Sequence, residues 1–455
     1  MHELIQAGAE RHGDQPAIIG WRTSITYGEL ARRAEAVAGA LTARGISRFA
    51  LMSPDPVDVV TALSAASLAR VEACVYQHDL GASDIALRLE SFDHDVVLGE
   101  GSPLAELGVR PIDVATLAAE GGPVPSLAAA RAGVRPLLIL TTGSTGAPKG
   151  ARHDWNRLLV PTEGSAQDPE QRWLLAYGLQ QFAALQVLLR VFAIGATFVV
   201  PESSSPKLAT SSVLDHGVTH VSATPTFWRF LLTELRTSGR PLPPLRQITL
   251  GGEVVPKQLL QDIETAFPGC RVSQIYAATE FGASGSVRDG EPGLPTSILD
   301  RGDDAPVAFR VVDGELWVRS RVGMLGYYGD EDVTDGWRAT GDLVEVQGDR
   351  ILFQGRSSDV INVGGVKVHP IPVEERVSAI PGVQLVRAYG RPSALTGAIV
   401  AVDIVADDGR DQDELYHAVK AACADLPAAS RPRSINFVET IQTVGNKVVR
   451  RGEQA

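Results

Sequence analysis

Apolar residues recur along the chain in two alternating patterns. In the segment TYGELARRAEAVAGALTARG they fall at helical spacing, so an amphipathic helix is predicted to begin near Thr26 and to end at Gly45. The segment VDVVTALSAASLARVEACVY predicts a second helix that leads into a short strand. Further apolar runs, which predict strands, lie at residues 198–200, 220–222, 247–250 and 274–276. This alternation favours a largely parallel sheet with helices on its faces.

From Ala305 onward the pattern changes to alternating polar and apolar positions. VAFRVVDGELWVRS predicts two strands joined at Asp313-Gly314, and DLVEVQGDRILFQGR predicts two more around Gly348-Asp349. The predicted fold class is therefore α/β. We expect a large N-terminal domain of parallel-rich sheets with flanking helices plus distorted antiparallel strands, residues 1–354. A small mobile α+β domain, residues 355–455, is expected to follow.

Composition and charge narrow the class of protein. The chain has 455 residues, of which 44% are hydrophobic, and this length is too great for a single core. A net charge of −12 argues against nucleic acid as a partner, because phosphate contacts need a clustered basic surface. The three cysteines lie far apart and fit a reducing compartment. With neither a signal peptide nor an apolar run of roughly 18 residues, we expect a cytoplasmic protein without a membrane partner.

The stretch LILTTGSTGAPKG, Leu138 to Gly150, places a polar glycine-rich loop directly after an apolar strand. Such a loop presents backbone N–H groups and hydroxyls that can surround phosphate oxygens, and Lys149 adds a positive charge. The loop differs from the P-loop of kinases and GTPases, which needs Ser or Thr after the lysine, whereas Gly150 follows here. Taken alone, the loop has a plain flexible turn as its alternative interpretation.

Further segments decide between these two interpretations. Together with TTGSTGAPKG they resemble, in order, the motifs of the adenylate-forming superfamily, which contains acyl- and aryl-CoA synthetases, peptide-synthetase adenylation domains and luciferases. The resemblance spans Thr141 to Arg450, is looser over the N-terminal 130 residues, and implies that the loop holds the phosphates of ATP. The other segments are GGEVVP (251–256), YAATEFG (276–282), ATGDLVEV, GRSSDVINVGGVKVHP and VGNKVVRR.

The resemblance implies a reaction in which a carboxylate attacks the α-phosphate of ATP, giving an acyl-adenylate and pyrophosphate. Catalysis of this step consists of positioning and charge neutralisation. Thr279 and Glu280 match the Thr-Glu pair that touches the α-phosphate, and Glu280 would also hold Mg²⁺. The residues expected to bind the phosphates are Thr141, Thr142, Gly143, Ser144, Thr145, Gly146 and Lys149, although a local turn bond is the alternative for any one hydroxyl.

The resemblance also implies the nucleoside contacts. Asp342 would accept hydrogen bonds from the ribose hydroxyls with Arg356 assisting, where the alternatives are a turn aspartate and a surface arginine. Tyr276 would stack on adenine, although a buried structural tyrosine is the alternative. The other residues assigned to the adenine and ribose site are Gly252, Glu253 and Ala277.

Lys447 lies where the superfamily keeps a C-terminal catalytic lysine, which would bridge the carboxylate and the α-phosphate. The usual pattern is Thr-Gly-Lys with an upstream proline, whereas here Gly445-Asn446-Lys447 follows Ile441. Asparagine tolerates the left-handed backbone region, so the turn can survive. An ordinary lysine in a basic tail is the alternative interpretation.

The acceptor and the acid are less closely defined. The GG pair Gly364-Gly365 favours the CoA-ligase branch and leaves room for a pantetheine arm, which also hangs on carrier proteins. Ser358 stands at the domain hinge, where relatives commonly carry Asp or Lys. A methyl group at Ala277 would shorten the acyl pocket and favour a compact or aromatic acid. The pocket residues are Gln180, Gln181, Gly251, Ala277, Ala278, Phe281 and Gly282, with the two glutamines as possible structural amides beside a helix start.

We therefore expect an acid–thiol ligase that uses ATP, Mg²⁺ and CoA to convert a small carboxylic acid into an acyl- or aryl-CoA. One alternative is an acyl-AMP ligase that loads the phosphopantetheine of an acyl carrier protein or an amine acceptor. A remote alternative is an inactive nucleotide-binding relative. The expected oligomeric state is a monomer or a homodimer.

Overall fold

The computed structural model of the chain describes residues 1–142, 148–302, 304–333, 336–407, 409–444 and 447–449. The α-helices are α1 His2–His12, α2 Tyr27–Ala43, α3 Pro56–Ala69, α4 Ala82–Ser91, α5 Ser102–Glu106, α6 Val114–Glu120, α7 Leu127–Arg131, α8 Trp155–Leu159, α9 Phe182–Ala193, α10 Pro206–Asp215, α11 Pro225–Thr237, α12 Lys257–Ala266, α13 Pro370–Ser378 and α14 Gln412–Ala422. Short 3₁₀ turns lie at Val160–Thr162, Thr296–Asp300 and Ser357–Asp359.

The strands alternate with these helices in the first part of the chain and dominate after residue 270. They are β1 Pro16–Gly20, β2 Ser24–Thr26, β3 Arg48–Met52, β4 Glu72–Val75, β5 Val97–Gly99, β6 Pro136–Thr142, β7 Pro148–Asp154, β8 Arg172–Leu175, β9 Thr197–Val200, β10 His220–Ala223, β11 Gln247–Gly251, β12 Arg271–Ala278, β13 Gly282–Val287, β14 Leu294–Pro295, β15 Val307–Val312, β16 Glu315–Ser320, β17 Gly326–Tyr327, β18 Arg338–Gln347, β19 Arg350–Arg356, β20 Ile361–Val363, β21 Val366–Val368, β22 Val383–Ser393, β23 Gly397–Ala406, β24 Ser434–Phe437, β25 Thr443–Val444 and β26 Lys447–Val448.

Two parallel-rich sheets form the larger part of the molecule. The first has the order β13-β12-β11-β10-β8-β9-β1-β2, with antiparallel pairs only at its two ends, and the second has the order β17-β7-β6-β4-β3-β5. Helix α3 contacts β1 of the first sheet and β3 and β4 of the second. Because α3 is flanked in this way, it is apolar and buried around almost its whole circumference.

A third sheet, β14-β19-β18-β16-β15, is antiparallel and has its own hydrophobic cluster. The fourth sheet is built from β20 to β24 and packs with α13 and α14 around a separate cluster between Ile361 and Phe437. The pair β25-β26 follows it and carries Lys447. Among the described residues, no helix combines the length and the apolar character that crossing a bilayer requires.

The predicted fold class is confirmed. Helix α2 begins after Thr26 and ends before Gly45, which has φ +65°, as its pattern predicted. The predicted hairpin at Asp313-Gly314 joins β15 to β16, and both turn residues have positive φ, 50° and 76°. The boundary between residues 354 and 355 stays a prediction.

Candidate active site

The predicted phosphate loop connects two antiparallel strands. β6 pairs with β7 so that Thr141 lies opposite Lys149, and the Thr141 hydroxyl donates to the Lys149 carbonyl at 3.5 Å. Thr142 lies opposite Pro148 at the end of the pairing. The register therefore holds both ends of the loop together. The remaining predicted phosphate ligands, Gly143, Ser144, Thr145 and Gly146, lie outside the described residues.

Tyr327 connects this loop to the predicted metal ligand. The Lys149 ammonium lies 5.2 Å from the centroid of the Tyr327 ring, in cation–π range. The Tyr327 hydroxyl donates to Glu280 Oε1 at 2.9 Å. Burial and the neighbouring Glu280 carboxylate raise the pKa of Tyr327, so its phenol stays protonated and keeps donating. Lys149 and Glu280, far apart in sequence, thus face one another across a single side chain.

Thr279 and Glu280 stand in the turn between β12 and β13, beyond the carboxyl ends of the neighbouring parallel strands β10 and β11. Ligands bind at this edge in open α/β sheets. The buried His153 ring lies beside the Thr279 backbone and stacks on Phe182 with ring centroids 5.5 Å apart. Burial lowers the pKa of His153 to about 4, so the ring is neutral at physiological pH.

Asp342 and Arg356 form an ion pair that the sheet register sets up. They are directly opposed partners in the β18–β19 pairing, and Arg356 Nε lies 3.2 Å from Asp342 Oδ1. The Tyr276 hydroxyl donates to the other carboxylate oxygen, Oδ2, at 2.6 Å. Burial raises the pKa of Asp342, while the Arg356 charge and the Tyr276 hydrogen bond oppose that shift.

The Tyr276 ring packs among phenylalanines. Its centroid lies 5.2 Å from Phe281, 5.9 Å from Phe309 and 5.1 Å from Phe353, and burial raises its pKa well above the usual value. These contacts give the ring a structural role in the third sheet's cluster. Stacking of Tyr276 on adenine stays a prediction.

Lys447 meets the predicted adenine segment. A Cβ built on Gly252, which has φ +87°, would lie 2.8 Å from Lys447 Cε and 3.2 Å from Nζ. Although Lys447 keeps an exposed surface, protein surrounds it closely enough that desolvation lowers the pKa of its amine. The carboxylates of Glu253, Glu280 and Asp342 oppose this shift. Lys447, on the C-terminal strand pair, is therefore influenced electrostatically by carboxylates from three predicted segments of residues 1–354.

The predicted acyl-pocket residues surround the same strand ends. Gly251 ends β11, Ala277 and Ala278 end β12, and Phe281 is buried just before Gly282 opens β13. Gln181 is the residue before α9, and its side-chain oxygen accepts the Gly178 N–H at 2.9 Å. The Gln180 side chain packs against Gly178. The amide of Gln181 thus bonds to the segment before α9 and makes no cap hydrogen bond to the helix, and its contact with an acyl group stays a prediction.

The predicted pantetheine glycines occupy a hairpin turn. Gly364 and Gly365 connect β20 to β21 and have φ +60° and +88°, values that a two-residue turn of this kind demands. The turn explains the glycines without a ligand, and their contact with pantetheine stays a prediction. Ser358 is exposed in a 3₁₀ turn directly after β19 and donates to Asp359 Oδ1 at 2.9 Å. Its role as a hinge also stays a prediction.

Sequence reasoning missed Tyr327 and His153. Tyr327 stands beside a second tyrosine in a segment, VGMLGYYGD, that has no distinctive composition, so only the fold brings it to Glu280. His153 follows the phosphate loop on β7, and a lone histidine in a strand indicates nothing by itself. Its burial without a hydrogen-bond partner among the described residues is visible only in three dimensions.

Comparison with known proteins identifies the family. The family model described as AMP-binding enzyme matches residues 5–328, which is more than half of the chain. The chain belongs to the AMP-binding enzyme family. The predicted membership of the adenylate-forming superfamily is thereby confirmed, and with it the expected class, an AMP-forming acid–thiol ligase that uses ATP, Mg²⁺ and CoA.

Individual relatives match between 69% and 98% of the chain. A feruloyl-CoA synthase from Amycolatopsis sp is 28% identical over 98% of this chain and 95% of its own length. A fatty acid–[acyl-carrier-protein] ligase, MmaC, from Mycobacterium marinum is 26% identical over 69% of this chain and 66% of its own. The o-succinylbenzoate CoA synthetase from Bacillus subtilis, solved with ATP and magnesium, matches with TM-score 0.76 and 23% identity over 98% of each chain. At that identity the likeness shows a shared fold.

Proposed function

We propose that this enzyme activates a compact or aromatic carboxylic acid with ATP and transfers the acyl group to CoA. The observation that carries the proposal is the environment of Lys447. Its side chain packs on Gly252, and the carboxylates of Glu253, Glu280 and Asp342 raise the pKa of its amine against the desolvation and the Arg356 charge that lower it, so we infer that the C-terminal strand pair brings a cation to the predicted nucleotide-binding motifs.

In the first step a carboxylate oxygen of the acid attacks the α-phosphorus of ATP. The new bond joins oxygen to the α-phosphorus, the bond from the α-phosphorus to the bridging oxygen breaks, and pyrophosphate leaves with its electron pair. Two anions must meet, so cationic groups lower the barrier. Lys447 would contact the carboxylate and the α-phosphate, Lys149 would contact the outer phosphates, and Asp342 would hold the ribose.

The residues present fit a magnesium ion held mainly by the nucleotide. Among the described residues there is no group of three or more His, Cys, Asp or Glu that could cage a metal. Mg²⁺ bound to nucleotides needs only one or two carboxylates. Glu280 supplies one, because Tyr327 occupies Oε1 and a carboxylate has a second oxygen. The ion would neutralise phosphate charge.

In the second step the CoA thiolate attacks the carbonyl carbon of the acyl-adenylate, a carbon–sulfur bond forms, the bond from that carbon to the phosphate oxygen breaks, and AMP leaves with its electron pair. Gly364 and Gly365 are the proposed pantetheine contacts, and Ser358 is the proposed pivot between residues 1–354 and 355–455. The separate hydrophobic cluster after Ile361 supports two domains that can move relative to one another.

The proposed preference for a compact acid rests on the methyl group of Ala277, at the end of β12. The feruloyl-CoA synthase relative supports an aromatic acid.

Further proposals concern the acyl acceptor, the cellular compartment and the oligomeric state. Loading of a carrier protein is the second candidate, because a carrier-protein ligase is among the relatives. Three free cysteines, Cys74, Cys270 and Cys423, support a reducing cytoplasm. A monomer or a homodimer remains the proposed oligomeric state.

The test is pyrophosphate release over a panel of short-chain, medium-chain and aryl acids, with and without CoA. Wild type should release pyrophosphate in an acid-dependent manner and yield a CoA thioester detectable by mass. Lys447→Ala should lose adenylation by about 100-fold or more, as expected for removing a preorganised charge at the reacting phosphate. Lys207→Ala, at an exposed lysine of α10, is the control and should leave the rate unchanged.

Release without a thioester would instead indicate a carrier-protein or amine acceptor. ATP binding without pyrophosphate release for any acid would contradict the proposal and favour an inactive nucleotide-binding relative.

A further inference from the structure

Glu253 connects two segments that are distant in sequence. It follows Gly252 just beyond β11, and its Oε2 accepts the backbone N–H of Thr226 at 3.0 Å. Thr226 lies in the first turn of α11, where backbone N–H groups have no intrahelical partner. The other oxygen, Oε1, accepts the backbone N–H of Val448 at 2.9 Å. One carboxylate thus joins a helix N-terminus to the strand of Lys447.

The contact to Val448 fixes the neighbouring residue. Val448 directly follows Lys447 in β26, and the Lys447 side chain packs on Gly252, the residue before Glu253. Two consecutive residues of each segment therefore touch two consecutive residues of the other. A carboxylate that accepts backbone N–H groups makes charge-assisted hydrogen bonds, which are stronger than neutral ones.

The residues around Glu253 contribute to the contact between α11 and the C-terminal part of the chain. Arg229 of α11 donates to the Gln384 carbonyl at 3.4 Å, at the start of β22. A small hydrophobic cluster covers the next turn of the helix and is made by Phe230, Leu385, Val405, Val438, Ile441 and Val448. Helix α11 therefore contacts the C-terminal part through apolar packing, and Glu253 adds a hydrogen bond to Val448, the residue after Lys447.

We propose that Glu253 is a positioning residue that holds the Lys447 strand against the active site during adenylation. Its carboxylate acts on the protein backbone in this role, and the adenine contact expected from sequence stays a prediction. The inference rests on the proposed function, because the benefit of docking Lys447 is faster formation of the acyl-adenylate.

The experiment measures the two half-reactions separately in wild type, Glu253→Ala, Glu253→Gln and Glu264→Ala. Adenylation is followed by pyrophosphate exchange over a range of ATP concentrations. Thioester formation is followed after supplying purified acyl-adenylate and CoA. Glu264 is exposed on α12 and provides the matched control. Amide hydrogen exchange of the peptide containing Val448 reports the contact directly, without any reaction.

Glu253→Ala should lower kcat for adenylation by about 10- to 100-fold, the range for losing hydrogen bonds to a charged group. Thioester formation from supplied adenylate and KM for ATP should stay as in wild type, and the Val448 amide should exchange faster. Glu253→Gln should fall in between, because an amide oxygen can accept one of the two N–H groups. The double variant Glu253→Ala/Lys447→Ala should adenylate no more slowly than Lys447→Ala alone, since both substitutions act through the Lys447 amine.

A rise in KM for ATP with unchanged kcat, an equal loss in both half-reactions, or unchanged exchange at Val448 would overturn the inference and favour a nucleotide-binding or general structural role. A wild-type protein that forms no adenylate would overturn the proposed function instead. Hydrogen exchange would still decide the Glu253–Val448 contact in that case.

Discussion

Asp342, Arg356 and Tyr276 were all assigned to the nucleoside site from sequence, but their contacts with one another come from the fold. The ATGDLVEV segment marked it as a ribose ligand, and its pairing with Arg356 follows from the register of β18 and β19. The third partner, Tyr276, comes from a different sheet. Arg356 on one oxygen and the Tyr276 hydroxyl on the other hold the carboxylate in place before any nucleotide arrives. Such preorganisation lowers the entropy that binding must overcome.

Gly252 supports a prediction at the residue scale. Gly252→Ala should slow adenylation by about 10-fold or more, because the new methyl group would meet Lys447 Cε and displace its amine from the reacting geometry. The substitution also strains the backbone, since φ is +87°. Pyrophosphate exchange measures the effect.

Gly239→Ala separates the two causes. Gly239 also has positive φ, +68°, but a Cβ there would meet nothing within 4 Å. Both variants should lose similar stability, about 1 kcal/mol each, from left-handed strain. Only Gly252→Ala should lose adenylation, and an equal loss in both would assign the effect to backbone strain alone.

Among the secondary-structure elements, those with local signals were predictable. Helix α2 carries both halves of a capping box: the Thr26 hydroxyl accepts the Glu29 N–H at 3.3 Å, and Glu29 accepts the Thr26 N–H at 3.1 Å. The hairpin at Asp313-Gly314 is specified by two residues that tolerate positive φ. These signals act over a few residues, so sequence alone contains them.

Thr26→Ala should lower the free energy of unfolding by about 1 kcal/mol, because the variant leaves a helix N–H without its cap. Denaturant unfolding measures the change. Thr42→Ala is the matched control in the last turn of the same helix, where the hydroxyl bonds only to the Ala38 carbonyl. We expect Thr42→Ala to lower the free energy of unfolding by less, because that bond does not satisfy a helix N–H that otherwise lacks a partner. Equal losses would contradict the capping role.

The contacts between secondary-structure elements could not be predicted from the sequence. Nothing in GGEVVP indicates that Glu253 faces a backbone N–H of β26, since that meeting depends on how α11 packs against the C-terminal sheet. The glycines at 364 and 365 illustrate an ambiguity, because the φ values of their turn are sufficient to explain them and their predicted contact with pantetheine stays a prediction. A contact with pantetheine and a tight turn both favour glycine at these two positions.

At the scale of the whole molecule, several histidines are buried in different cores. Burial lowers the pKa of His2, His94, His153 and His220 to about 4 each. The unfolded chain binds protons at these histidines below about pH 6.5, whereas the folded chain does not. The four histidines therefore contribute a loss of stability on acidification. Carboxyl groups whose pKa burial raises, such as Glu72 and Asp58, act in the opposite direction. The net slope of stability with pH is the balance of the two sets.

His153→Leu isolates one contribution to that balance. Wild type should lose up to about 2 kcal/mol between about pH 7.5 and about pH 5.0 through His153 alone, because its pKa rises from about 4 to about 6.5 on unfolding. Arg157 also lowers this pKa, and the Thr279 backbone raises it, so both groups are kept unchanged. The variant lacks the titrating group and should show a correspondingly shallower pH dependence of denaturant stability.

His216→Leu, at an exposed histidine directly after α10, is the control. It measures the effect of replacing a histidine by leucine at a position outside the buried cores. If His153→Leu and wild type lose equal stability on acidification, the folded and unfolded chains bind protons at His153 alike. Burial would then not lower the pKa of His153, and the account of a neutral buried imidazole would be wrong.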